Sequence, residues 1–234
     1  INNSETLRKF TLSSDLLYAK EAAINPYFLS NLPPRVKLNT SLDAFIHCLE
    51  ALLNTNSSAL TYPLSQEGLK IGAQYMKKIY SYDKDLNILQ KAAKLSLFGG
   101  VSIAHNRTGL IHTLSVAIAK FTKIPHGRLN AQVLPFALDH NKTDGEGSLS
   151  KIISSTFNKK FKKDKDALSF LKNWIFNFID YSDFPIKLIE KEHTSIVKRV
   201  LEDKGLQAVS HGIIDEQNIS ILLKKMENEI RQLK

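Results

Sequence analysis

A helical period of apolar residues runs through almost the whole chain, and it limits the possible folds more than any other feature. Leu42, Phe45, Ile46, Leu49 and Leu53 recur three and four apart, so on a helix they share one face. Leu69, Ile71, Tyr75, Met76 and Ile79 form a second stripe, and Leu86, Leu89, Ala93 and Leu97 a third. Further stripes follow at Ile152, Ile153 and Phe157, at Leu168, Leu171, Ile175 and Phe178, at Ile196, Val200 and Leu201, and at Ile219, Leu222, Leu223 and Met226. Breakers punctuate them: Pro33-Pro34, Pro63, Gly99-Gly100, Pro125, Asp144-Gly145, Pro185 and Gly205. No pair of alternating apolar runs flanks a tight turn, so hairpins are not expected. The pattern predicts an all-α chain of about eight to ten helices. Pro34 followed by Thr40 and Ser41 gives the expected start and N-cap of the first long helix, with Ser65 and Gly68 near the start of the next.

Composition narrows the class. Apolar residues make up 43% of the 234, ordinary for a globular chain. None of the apolar runs approaches the roughly 20 residues of a membrane span, and residues 1–20 are too polar and mixed in charge for a signal peptide. The single cysteine, Cys48, excludes an internal disulfide and suits a reducing, cytoplasmic setting. The net charge of +9 includes a run at Lys159, Lys160, Lys162, Lys163 and Lys165. Only Phe161 interrupts it, so no aromatic ladder offers itself to stacked bases. A solvated loop and helix start is the expectation, not nucleic-acid binding, although such charge could draw in an anionic substrate or cofactor. The chain opens on Ile1, so a piece or processed form of a longer protein is expected.

Four residues suggest a metal site. Asp43 and His47 are four apart, on one helix face and one turn from each other. That spacing suits two ligands of one ion, and equally a surface ion pair. His112 lies in an apolar helical stretch, where a satisfied core histidine is the simpler reading. His126 follows Pro125, which fits the first turn of a new helix. The positive end of the helix dipole disfavours imidazolium there, and neutral imidazole is the metal-binding form. A mixed nitrogen and oxygen set of this kind suits Fe²⁺ or Zn²⁺, and could take Ni²⁺, Co²⁺ or Mn²⁺.

At these residues the chain resembles the C-terminal helical domain of the iron-containing (group III) alcohol dehydrogenases. Ala22-Ala23-Ile24-Asn25-Pro26, Leu32-Pro33-Pro34 and Leu42-Asp43-Ala44-Phe45-Ile46-His47-Cys48-Leu49-Glu50 resemble the family's Asn-Pro, Leu-Pro-Pro and Asp-Ala-x-x-His-x-x-Glu patterns. Gly109-Leu110-Ile111-His112 and, with thirteen residues between the two histidines, Pro125-His126-Gly127 resemble its second signature, followed by Ala131 to Pro135. The match runs from about Ala22 to Asn141 and weakens beyond. The resemblance implies a dehydroquinate-synthase-like helical domain over 21–234, preceded at 1–20 by an interdomain connection. It implies that Asp43, His47, His112 and His126 hold one divalent ion, iron first and zinc second. That ion acts as Lewis acid on the oxygen of a small alcohol or carbonyl substrate. Hydride exchanges with NAD or NADP held by an N-terminal α/β domain, of which these residues show no Gly-x-Gly-x-x-Gly or other phosphate-cradling turn. A homo-oligomer, such as a dimer, is implied as well.

The chain departs from the family at Val116, where many members carry a second histidine four residues after the one matching His112. That puts ordinary proton relay in doubt. His105 is the candidate substitute, against the plainer reading of a histidine without a role. The Gly99-Gly100-Val101-Ser102-Ile103-Ala104-His105 stretch resembles a divergent sugar-acid-oxidising branch. The alternatives are therefore a metal-dependent sugar-acid oxidase, a dehydroquinate-synthase-like enzyme, or a non-catalytic relic of the fold.

Overall fold

The computed structural model describes residues 14–17, 19–81, 84–140 and 149–233. Most of the expected connection at 1–20, and the Asp144-Gly145 breaker, lie outside them. Among the described residues, two short 3-10 turns, Asp15–Leu17 and Pro26–Leu29, precede eleven α-helices. These are α1 (Pro34–Leu53), α2 (Thr61–Tyr80), α3 (Leu86–Asn106), α4 (Leu110–Ala119), α5 (His126–His140), α6 (Leu149–Phe157), α7 (Asp164–Ile175), α8 (Ile186–Lys191), α9 (His193–Leu201), α10 (Lys204–Val209) and α11 (Glu216–Leu233). Helix accounts for 73% and no strand occurs among the described residues. The all-α expectation holds; the helix count exceeds it because 186–209 divides into three short helices. No helix among the described residues is long and apolar enough to cross a membrane.

Two local expectations need correction. The first long helix starts at Pro34 itself, whose absent N–H costs nothing at the first helical position. Thr40 and Ser41 lie two turns inside, and the Thr40 hydroxyl donates back to the Val36 carbonyl at 2.9 Å instead of capping. Gly99-Gly100 does not break a helix but continues α3. A Cβ at Gly99 would stand 2.8 Å from the Ala44 carbonyl oxygen and 3.2 Å from His47 Cβ. This glycine therefore lets α3 lie against the Asp43–His47 turn of α1, and what reads as a breaker is a contact point.

Helix α1 is the hub, packed by α2, α3 and α5. Its stripe residues Leu42, Phe45, Ile46 and Leu49 are fully buried. Each such side chain stabilises the fold by about 1.5–3 kcal/mol relative to exposure. Phe45 reaches the C-terminal helices, its ring 4.9 Å from that of Trp174. Helix α4 packs on α5 and α9. Ile219, Leu222, Leu223, Met226 and Ile230 line the buried face of α11. Cys48 is free and buried, and burial pushes its thiol up to about 12, so it is inert. The lysine run lies across the α6–α7 connection with its five side chains exposed, Lys159 resting 5.0 Å over the Phe170 ring.

Candidate metal centre

Three helices bring the predicted residues together. Asp43 and His47 sit one turn apart on α1, His112 in the first turn of α4, and His126 at the first position of α5. The approach of α5 depends on Gly127. A Cβ there would fall 1.9 Å from the Asn39 carbonyl oxygen and 3.0 Å from Asp43 Cβ, so only glycine lets His126 reach Asp43. One donor atom from each of Asp43, His112 and His126 lies within 4.8 Å of the others. Asp43 is the centre: its Oδ1 is 3.3 Å from His112 Nε2 and 3.8 Å from His126 Nε2. Its Oδ2 is 3.8 Å from His47 Nε2. His47 stands at the margin of this group, its ring stacked on that of His112 with centroids 4.6 Å apart. The cluster opens to solvent on the side of His126, the most exposed member at 38%.

Electrostatics sort the imidazoles. Burial, with the neighbouring histidines, outweighs Asp43 and pushes His47 down to about 4, so it is neutral at pH 7. Burial also opposes charge on His112, but the Glu50 and Asp43 carboxylates at its two nitrogens outweigh it and hold it up at about 9. Burial would raise Asp43, yet His112 and the other histidines bring it down to about 2.

Sequence reasoning gave no role to a set of polar residues that surrounds these ligands. Glu50 is buried and accepts from His112 Nδ1 at 2.6 Å through Oε2 and from the Ile111 amide at 2.6 Å through Oε1. Asn130 donates from Nδ2 to Asp43 Oδ1 at 2.6 Å, and that nitrogen lies 3.1 Å from His126 Nε2. The Ser115 hydroxyl in turn donates to Asn130 Oδ1, which fixes how the amide is turned. The signal was present as spacing: Glu50 is seven residues after Asp43 and Asn130 four after His126, each on the face of its ligand. His105 is not drawn in. It is exposed at the end of α3, with Nδ1 2.9 Å from the Val101 carbonyl oxygen of its own helix. Val116 is half-buried on α4.

The donor set fits a divalent first-row ion. His112 Nε2 is the clearest sign: it is buried, and its contact with Asp43 lacks a hydrogen bond's geometry. With Nδ1 engaged by Glu50, this is the nitrogen left for an ion.

Fold and cluster together define an all-helical domain built around a carboxylate–histidine centre. The model for the C-terminal domain of the Fe-containing alcohol dehydrogenase family matches residues 37–226, and the chain belongs to that family. The match thus continues through most of α11, well past the recognisable motifs. Among relatives, aldehyde-alcohol dehydrogenase 2 of Entamoeba histolytica is 28% identical over 141 residues, 60% of this chain and 16% of that protein. The 1-propanol dehydrogenase PduQ of Citrobacter freundii is 27% identical over 136 residues, 58% of this chain and 37% of that protein. The sulfoacetaldehyde reductase of Bifidobacterium kashiwanohense, solved in complex with NAD+, superposes with a TM-score of 0.80 at 17% identity, over 97% of this chain and 59% of that one. The chain therefore spans well under two thirds of the length of these relatives.

Proposed function

We propose that Asp43, His47, His112 and His126 hold one divalent ion, Fe²⁺ or Zn²⁺, and that this domain is the metal and substrate half of an NAD(P)-dependent oxidoreductase interconverting an alcohol and an aldehyde or ketone. The observation that carries the reading is the convergence of Asp43, His112 and His126 from three helices within 4.8 Å, around a buried His112 nitrogen that makes no hydrogen bond. When bound, the ion supplies Lewis acidity toward the substrate oxygen. The chain's own residues do the rest. Asp43 brings the negative charge, His47 is already neutral, and the packing of Gly99 and Gly127 against α1 fixes the spacing. The solvent-open side at His126 is the way in for a small substrate, and the net charge of +9 favours an anionic one. The nicotinamide is proposed to be held by a part of the complete protein outside these residues, because no phosphate-cradling glycine turn occurs here.

Elemental analysis of protein purified without chelator tests the site. About one equivalent of a first-row metal is expected, with most of it lost in His126→Ala. Full occupancy in that variant would overturn the ligand assignment. Reduction of NAD(P) by the complete protein with simple alcohols tests the reaction. This chain by itself is expected to show no such turnover, since hydride transfer needs the two carbons within roughly 3–3.5 Å.

A further inference from the structure

We propose that Glu50 is the positioning residue of the metal centre: it fixes which nitrogen of His112 faces the ion, and it couples that choice to the seating of helix α4. The inference rests on the metal-centre reading above and adds a residue that reading does not contain.

Both partners of this carboxylate are donors. Oε1 takes the Ile111 amide and Oε2 the His112 Nδ1–H, each at 2.6 Å. The amide lies in the first turn of α4, where backbone N–H groups have no helical partner. Glu50 satisfies one of them from outside the helix, and the N-cap residue, Gly109, has no side chain to do so. Gly109 belongs to this contact: a Cβ there would come within 3.1 Å of Glu50 Oε1. One side chain on α1 thus holds both the end of α4 and the ring that α4 carries. With Nδ1–H donated to Glu50, Nε2 is directed at Asp43, 3.3 Å away.

The chemistry makes a sharp distinction between glutamate and glutamine. A carboxylate accepts on both oxygens, whereas a carboxamide accepts on one and donates from the other end. The Ile111 amide can only donate, so in Glu50→Gln it claims the amide oxygen. The NH₂ group is then left facing His112 Nδ1. That end favours an accepting Nδ1, which moves the ring proton to Nε2 and blocks the nitrogen meant for the ion. The substitution preserves volume, so packing alone predicts little change.

The test compares the complete protein with its Glu50→Gln variant, using Zn²⁺ in chelator competition and ¹⁵N-histidine spectra. A 10- to 100-fold weaker Zn²⁺ affinity is expected for the variant, the usual effect of losing an outer hydrogen bond to a ligand histidine. Glu50→Asp, which keeps two acceptors on a shorter stem, is expected to fall between. Equal affinity of Glu50→Gln and wild type would overturn the proposal while leaving the metal centre standing. No Zn²⁺ binding by wild type would overturn both. If Glu50→Gln does not fold, the Zn²⁺-loaded wild type decides. Its His112 must show the proton on Nδ1 and the metal on Nε2, and the reverse assignment refutes the role of Glu50.

Discussion

The helices before and after residue 140 are built differently inside. Of the sixteen buried polar or charged residues described, fourteen lie in 30–132 and two, Ser150 and Thr156, lie beyond. In the first region, buried groups answer one another across helices. Ser65 donates to Ser102 at 2.7 Å, Asn106 donates to Thr61 at 2.8 Å, and Asn54 donates to the Asn106 carbonyl at 2.7 Å. In the second, helices α9 and α11 present the stripes Ile196, Val197 and Val200 and Ile219, Leu222, Leu223, Met226 and Ile230 to a core with few polar groups, among them the Glu227 carboxylate facing His193 at 4.0 Å. A buried hydrogen bond contributes little net stability but is costly to leave half-made, whereas apolar burial stabilises in proportion to area. The first region therefore carries the precision the site needs, and the second supplies the bulk that holds it in place.

Substitutions should separate these two roles. Leu223→Ala removes a fully buried side chain from α11 and is expected to lower unfolding stability by about 2–5 kcal/mol. Metal stoichiometry of the protein that remains folded should not change. Gly127→Ala should do the opposite. Its added methyl meets backbone, not a flexible side chain, so α5 must move off α1. A cost of about 1–3 kcal/mol is expected, with loss of most bound metal. Denaturant unfolding and elemental analysis on the same preparations check both. A Leu223→Ala protein that is folded but lacks metal would break the division of labour.

The pH dependence sharpens it further. Without metal, His112 at about 9 lies above its ordinary 6.5, so its contribution to stability is full below pH 6.5 and is lost as pH rises through 9. His47 at about 4 has the opposite sign: between 6.5 and 4 the unfolded chain takes the proton first, so stability falls as pH falls through that window. A divalent ion must displace the His112 proton, so affinity should rise with pH up to about 9. One proton released corresponds to about tenfold, or about 1.4 kcal/mol, per pH unit. Calorimetric titration with Zn²⁺ in buffers of different ionisation enthalpy counts that proton. A pH-independent affinity between 6 and 8 would show that binding displaces no His112 proton, against an imidazolium held between Glu50 and Asp43.

How much of this was legible follows the same divide. Stripes such as Ile219 to Met226 gave their helices directly, because burial on one face is all those helices require. The Asp43–His47 pair was readable as one helix turn, whereas His112 and His126, on two other helices, were readable as its partners only through the family resemblance. Two glycines were misleading or silent. Gly99 looked like a breaker and Gly127 like part of a motif, and their use as contact surfaces depends on which helix passes by, a property of tertiary structure alone. Glu50 and Asn130 were also passed over. A glutamate or asparagine in a helix is usually solvated, so their spacing from Asp43 and His126 pointed inward only once those ligands were placed.

His105 gives the smallest expected effect and tests where the site ends. It shares α3 with Gly99, which touches the metal turn of α1, but it lies six residues further on. At a rise of about 1.5 Å per residue that is roughly 9 Å along the helix. A general acid or base must come within hydrogen-bonding reach of the reacting group, directly or through one water. The imidazole instead faces solvent and contacts the Val101 carbonyl of its own helix. His105→Ala is therefore expected to change stability by less than about 0.5 kcal/mol, as surface substitutions do. Metal content and turnover of the complete protein should stay within about twofold of wild type, well short of the roughly 10²- to 10⁴-fold that loss of a proton relay produces. A fall of that size, with metal still bound, would bring the end of α3 into the site. It would also make His105 the functional replacement for the histidine that Val116 does not supply.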